Sequence, residues 1–122
     1  MWYAHVRFPN HVKTIGYSAF YDVVKLNDLN LNNVEVIEAE AFKYCSLEDG
    51  LVFPSTVKEV GSEAFYWSRP PFIEINSLDT QISDDAFQDV STVETIYIPK
   101  GYKLPENLWG IKNQFNVNIV ER

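Results

Sequence analysis

One dipeptide keeps returning along the chain. Ala19-Phe20, Ala41-Phe42, Ala64-Phe65 and Ala86-Phe87 stand 22, 23 and 22 residues apart. A period of this size, held over four copies, marks a stacked solenoid. No single unit of that length can bury its own apolar face, so each must be covered by the next. The chain therefore cannot be read as an ordinary globule folded back on itself.

Aligning the sequence on each Ala-Phe extends the frame. Val12, Val34, Val57 and Leu78 open it, and Ile15, Ile37, Val60 and Ile82 follow. Val23, Cys45, Ser68 and Val90 stand three residues after each Phe, at positions that suit a small core plug. An alternating apolar stretch closes each frame, as in Thr95-Ile96-Tyr97-Ile98. Alternation of this kind is a β signal. The expected strands begin near Val6, Leu29, Leu51, Ile73, Ile96 and Val117, in one parallel sheet. Pro9, Pro54 and Pro99 end strands because proline has no N–H to give the ladder. Asn32 and Asn76 take that place by turn preference. The Ala-Phe segment itself reads as a short helical or 3₁₀ turn, with Ser62-Glu63 and Ser83-Asp84-Asp85 as its N-terminal start. The expected fold is an α/β repeat solenoid with one parallel sheet face and short helical turns opposite. Residues 1–122 are expected to form one domain, with repeats over 6–98 and a C-terminal cap over 99–122. Trp109 and Phe115 are the candidates for closing the core there. Trp2, Tyr3 and the Val6 strand leave the other end uncapped, a candidate edge for homodimerisation.

Composition narrows the function classes. The net charge of −7 disfavours direct binding to nucleic acid or to an anionic membrane. No apolar run approaches the roughly 18 residues of a membrane span. One cysteine, Cys45, excludes an internal disulfide. The opening residues Met1-Trp2-Tyr3-Ala4-His5-Val6-Arg7 lack the pattern of an export signal, so location is left open, with the cytoplasm included.

Two stretches carry a family resemblance. They are Phe8-Pro9-Asn10-His11-Val12-Lys13-Thr14-Ile15-Gly16-Tyr17-Ser18-Ala19-Phe20 and Phe53-Pro54-Ser55-Thr56-Val57-Lys58-Glu59-Val60-Gly61-Ser62-Glu63-Ala64-Phe65. A strand ending in Pro, then Val, then Ile-Gly or Val-Gly, then Ala-Phe, with Cys45 three residues after its Phe, resembles the BspA-like leucine-rich repeat family. The tail around Tyr97-Ile98-Pro99, Trp109 and Val117-Asn118-Ile119-Val120 resembles that family's C-terminal cap. The resemblance implies a leucine-rich repeat solenoid that binds proteins or mediates adhesion, often at bacterial or protist surfaces. Short length and opening residues without an export pattern leave that surface location open.

No catalytic constellation is present. His5 and His11 have no metal-like spacing, and Cys45 has no nucleophile signature around it. The expectation is no enzyme, no cofactor and no metal. Binding is expected on outward strand residues in two rows: Arg7, Asn30, Val52, Glu74, Tyr97 and Asn118, then His5, Asp28, Gly50, Phe72, Thr95 and Asn116. Arg7, Asn30, Glu74, Tyr97, Phe72 and Asp28 are the chosen contact residues for a protein partner, because aromatics and Arg dominate interface energetics. An alternative uses an acidic stripe of Glu38, Glu63, Asp84 and Asp85. There the chain is a small intracellular inhibitor, such as a mobile element would encode, that occupies the basic groove of a nucleic-acid-binding protein.

Overall fold

A computed structural model describes residues 4–23 and 25–122. It is a parallel-strand solenoid of about five coils. Ten short strands run β1 (Ala4–His5), β2 (Thr14–Ile15), β3 (Leu26–Asn27), β4 (Val36–Ile37), β5 (Leu51–Phe53), β6 (Glu59–Val60), β7 (Phe72–Ile75), β8 (Gln81–Ile82), β9 (Thr95–Ile98) and β10 (Asn118–Glu121). The side chains of Ala4 and His5 lie outside the described residues, as do Trp2 and Tyr3, on which the uncapped-edge expectation rests. Among the described residues β1 pairs only with β3.

The coils make two long parallel ladders instead of the one expected. One is β2-β4-β6-β8, through the Ile15, Ile37, Val60 and Ile82 positions. The other is β5-β7-β9-β10, with Leu51 beside Ile73, Ile73 beside Ile96 and Ile96 beside Ile119. Pairing at a constant frame puts the same repeat position on the same face in each coil, which is why the core is columnar.

The Phe column runs along the interior. Phe20, Phe42, Phe65 and Phe87 stack with centroids 5.3, 5.2 and 5.2 Å apart and near-parallel rings. Phe42, Phe65 and Phe87 are fully buried, as are Ala41, Ala64 and Ala86. Small Ala lets the backbones of adjacent coils approach, while the ring fills the space behind.

The Ala-Phe corner is not helical. In the first coil Ala19, Tyr21 and Val23 donate to carbonyls three residues back in their own coil. Ser18, Phe20 and Asp22, alternating with them, donate to Ala39, Ala41 and Lys43 of the next coil. The residue two after each Phe is left-handed: Asp22, Tyr44, Trp67 and Asp89 have φ of 59°, 65°, 57° and 63°. So is the residue before Ala in Ser18, Glu40 and Glu63. Alternation of handedness turns successive N–H groups toward different partners, which a helix could not do. Short 3₁₀ turns occur instead near the C-terminal end, at Leu108–Gly110 and Gln114–Asn116.

Two further expectations shift and one holds. Leu78 is 58% exposed, and Thr80 is buried in its place. Thr has the shape of Val, and its hydroxyl donates to the Val57 carbonyl at 2.8 Å, so the polar atom is satisfied. Trp109 does close the core, 2% exposed and 5.8 Å from the Phe87 ring. Phe115 does not: it is 96% exposed, on the 3₁₀ turn that leads into β10.

Candidate functional site

The outward face of β5-β7-β9-β10 carries a built cluster. Register aligns Val52, Glu74, Tyr97 and Val120 in one row, and Phe72, Thr95 and Asn118 in the next. Asn118 thus stands beside Thr95, and Val120 takes the end of the Tyr97 row that Asn118 was expected to fill. The Phe72 and Tyr97 rings meet edge to face at 6.0 Å. Gly50 makes that possible. It has a φ of 92°, and a Cβ there would sit 2.1 Å from the Phe72 ring. The Arg122 guanidinium lies 4.0 Å from the centre of the Tyr97 ring and binds the Glu74 carboxylate at 2.5 Å. The other Glu74 oxygen accepts from Asn76 at 3.0 Å. A cation held both to a ring face and to a carboxylate fixes Tyr97 and Glu74 in one orientation.

The remaining predicted contact residues lie off this sheet. Arg7 and Asn30 line a shallow cleft of about 280 Å³ with Phe8 and Asn10. Asp28 shares a second cleft, of about 330 Å³, with Asn30 and Val52. Neither Arg7 nor Asn30 is on a strand, since the first coils pair at Ala4–His5 and Leu26–Asn27 instead. Asp28 has a φ of 56°, which ends β3, and the Asn32 N–H donates to the Asn30 side chain in a local turn. The sheet face therefore holds Phe72, Glu74 and Tyr97, and Asn30 and Asp28 border it only through the Val52 cleft.

The coil frame behind this face also settles ancestry. A sequence profile for BspA-type leucine-rich repeat regions matches residues 3–113 in six copies. The chain belongs to the BspA-type leucine-rich repeat family. Comparison with curated proteins and with solved structures gave no match. In the BspA-type frame the position three after Phe is structural. Cys45 is fully buried, burial pushes its thiol up to about 12, and its Sγ donates to the Phe20 carbonyl at 2.8 Å. Such a thiol carries little thiolate at neutral pH. Among the described residues no three His, Cys, Asp or Glu side chains gather as a metal set.

Three of the four acidic-stripe carboxylates, those of Glu38, Glu63 and Asp85, are engaged by their neighbours. Glu63 pairs with Lys43 at 2.7 Å, and that hydrogen bond raises the lysine pKa. Asp85 accepts from Ser62 and Ser83, each at 2.8 Å. Glu38 accepts from the Tyr17 N–H at 3.1 Å, and the Asp84 carbonyl accepts from Asn107. Sequence reasoning missed two other features. Arg122 lies one residue past β10, and only its register against Ile98 brings it to Tyr97. An aromatic corner of Tyr21, Tyr44, Tyr66 and Trp67 forms beside the Phe column, with Tyr44 5.6 Å from both Tyr21 and Tyr66. Its signal was in the frame, at the two positions directly after each Phe.

Proposed function

We propose that this BspA-type repeat chain is a non-catalytic protein-interaction module. It contacts its partner through the outward face of β5, β7, β9 and β10. The observation that carries this reading is the Phe72–Tyr97–Arg122–Glu74 cluster, which holds an aromatic pair and a guanidinium in fixed positions on a partly exposed sheet. Fixed aromatic and Arg side chains lose little freedom on binding and are favoured as anchors. Four strands about 4.8 Å apart offer room for one modest interface. Val52 and Val120 add exposed apolar edges to the Tyr97 row. Adhesion to a surface protein and binding of a soluble partner both fit this face. The acidic decoy draws less support, because Glu63 and Asp85 are already bonded within the chain.

The test compares capture from an extract of the native source by the wild-type chain, Tyr97→Ala and Tyr17→Ala. Tyr17 is exposed beside the other ladder and serves as the control. The expected result is a partner, identified by mass spectrometry, lost with Tyr97→Ala and kept with Tyr17→Ala. Tyr97→Ala should melt a few degrees lower, having lost the Phe72 and Arg122 contacts, but all three proteins should be folded at the capture temperature. Equal recovery by Tyr97→Ala would refute the assignment of this face.

A further inference from the structure

A cleft of about 110 Å³ opens beside the corner of the third Ala-Phe coil, away from the sheet face. Its lining follows from the coil frame. Arg69 stands four residues after Phe65, and Ser91 four residues after Phe87. Lys112 donates its N–H to the Val90 carbonyl at 2.7 Å, which seats it on the next coil beside Ser91. Three successive coils thus place a cation, a hydroxyl and a cation in a row, and all three line the cleft. With about 4.8 Å per coil, the two cations start roughly 10 Å apart. Two long side chains can meet over Ser91 from that distance.

Four observations bear on what this cleft holds. First, neither Arg69 nor Lys112 has an anionic partner among the described residues, whereas Lys25, Lys43 and Arg122 each pair with Glu. Among those residues Lys13, Lys58, Lys100 and Lys103 are without an ion pair as well, so what sets Arg69 and Lys112 apart is that both line one cleft. Second, Ser68 borders the cleft at a position that the other coils fill with Val23, Cys45 and Val90. It is buried, and its hydroxyl has no hydrogen-bond partner. A buried unmet hydroxyl costs stability, so it calls for a reason. Third, Trp67 walls the cleft while 54% exposed and at a φ of 57°. Asp22, Tyr44 and Asp89 hold the same position in other coils, so a ring in that conformation recurs at Tyr44, while the two Asp residues tolerate it better. Fourth, Asp89 lines the cleft too, with its carboxylate accepting from the Tyr66 hydroxyl at 3.1 Å. The site keeps one net positive charge.

We propose that this cleft binds an oxyanion between Arg69 and Lys112, over Ser91, with the Trp67 ring as its wall. The ligand class is a phosphate or sulfate group, either free or carried as an ester on a small organic molecule. The cations supply charge-assisted hydrogen bonds, and Ser91 supplies a neutral donor. Asp89 opposes the anion, which makes the proposal sharply testable. The site is independent of the sheet-face reading, and either can fail alone.

The test follows backbone amide and Trp67 indole NMR shifts of the full chain during titration with inorganic phosphate, sulfate and phenyl phosphate at constant ionic strength. Saturable shifts confined to residues 67–69, 89–92 and 112 are expected. Arg69→Gln or Lys112→Gln should weaken binding about tenfold or more, the loss of one charged hydrogen bond. Asp89→Asn keeps an acceptor for Tyr66 and should tighten binding several-fold. Lys13→Gln makes the same charge change elsewhere and should alter nothing. Phenyl phosphate binding tighter than phosphate assigns an ester ligand stacked on Trp67, and equal affinity assigns the free anion. Absence of saturable shifts with all three probes, or equal weakening by Lys13→Gln, would overturn the proposal.

Discussion

Replacing Phe65 with Ala tests whether the solenoid is held by its internal column. Phe65 is fully buried, stacks on Phe42 and Phe87 at 5.2 Å on either side, and meets Phe53 edge to face at 5.6 Å. Truncating a buried Phe costs about 3–5 kcal/mol through lost transfer energy and the cavity left behind. Each aromatic pair adds ~0.5–1.5 kcal/mol beyond area burial, so the upper part of that range is expected. Phe20 is the internal control. It ends the column, is only half-buried, and has one stacked neighbour, Phe42, with Phe8 edge-on at 5.8 Å. Its truncation should cost about 1–3 kcal/mol, because the site opens to water and leaves less of a cavity. The assay is equilibrium urea unfolding of both variants beside the wild type. A domain of this size has only ~5–15 kcal/mol to lose, so a gap near 2 kcal/mol is readable. Phe65→Ala should also lower the m-value, since coils on its two sides lose their coupling. Equal losses at the two positions, or a Phe65 loss under about 2 kcal/mol, would refute a continuous column.

Three other outcomes are expected. Gly50→Ala should cost about 2 kcal/mol or more, from left-handed backbone strain and displacement of the Phe72 ring, and Tyr97 ring resonances should move with it. A silent substitution would mean the Phe72–Tyr97 contact does not rest on Gly50. Burial works to raise the Asp85 pKa, but hydrogen bonds from Ser62, Ser83 and backbone N–H groups outweigh it and hold the carboxyl below its usual value. The stability from that depressed pKa is present above the unfolded value, near 4, and is lost as pH falls through the folded one. Asp85→Asn should therefore narrow the gap between urea midpoints at pH 7 and pH 3, and an unchanged gap would count against it. Cys45, with its thiol pushed up to about 12 by burial, should resist iodoacetamide at pH 8 until urea unfolds the chain.

The parts of this fold that were legible in the sequence are those where one residue type answers one physical need. Phe fills the column, Ala lets the coils close, and Ile or Val at Ile15, Ile37 and Val60 pairs coil to coil. Trp109 was legible as a cap because the end coil needs one large cover. Parts that were not legible depend on choices a pattern cannot show. Thr80 replaces Val because a carbonyl happens to stand within its reach, so a hydrophobic search picks Leu78 two residues early. Phe115 is as apolar as Trp109, yet the Leu108–Gly110 turn delivers Leu108 and Trp109 to the core while the Gln114–Asn116 turn leaves Phe115 outside. On the outward face, Phe72, Glu74 and Tyr97 were found by alternation, while Arg122 was not, since a contact 48 residues away from Glu74 follows only from strand register. Asn30 was misplaced because an asparagine-rich segment offers side-chain bonds to its own backbone and leaves the ladder, and Arg7 because the first strand ends at His5.

The corner explains why these faces can be so different in content and yet so regular in position. A left-handed residue two after each Phe costs backbone energy in every coil, and it is not glycine in any of them. The cost of about 1–2 kcal/mol per residue is offset where that residue's own N–H, on Asp22, Tyr44, Trp67 and Asp89, meets a carbonyl of the following coil, at 2.7–3.2 Å. The strain and the hydrogen bond therefore exist together or not at all: a lone coil would have the first without the second. That makes the corner a property of the stack, invisible to any scan for turn residues. It also frees the side chains of the left-handed position, which point away from the core, to be Asp in one coil and Tyr or Trp in the next. Position is set by the backbone ladder and the Phe column, while chemistry is set coil by coil. Sites on such a molecule are accordingly to be sought where neighbouring coils depart from the shared frame, as Arg69, Ser68 and Trp67 do in the third.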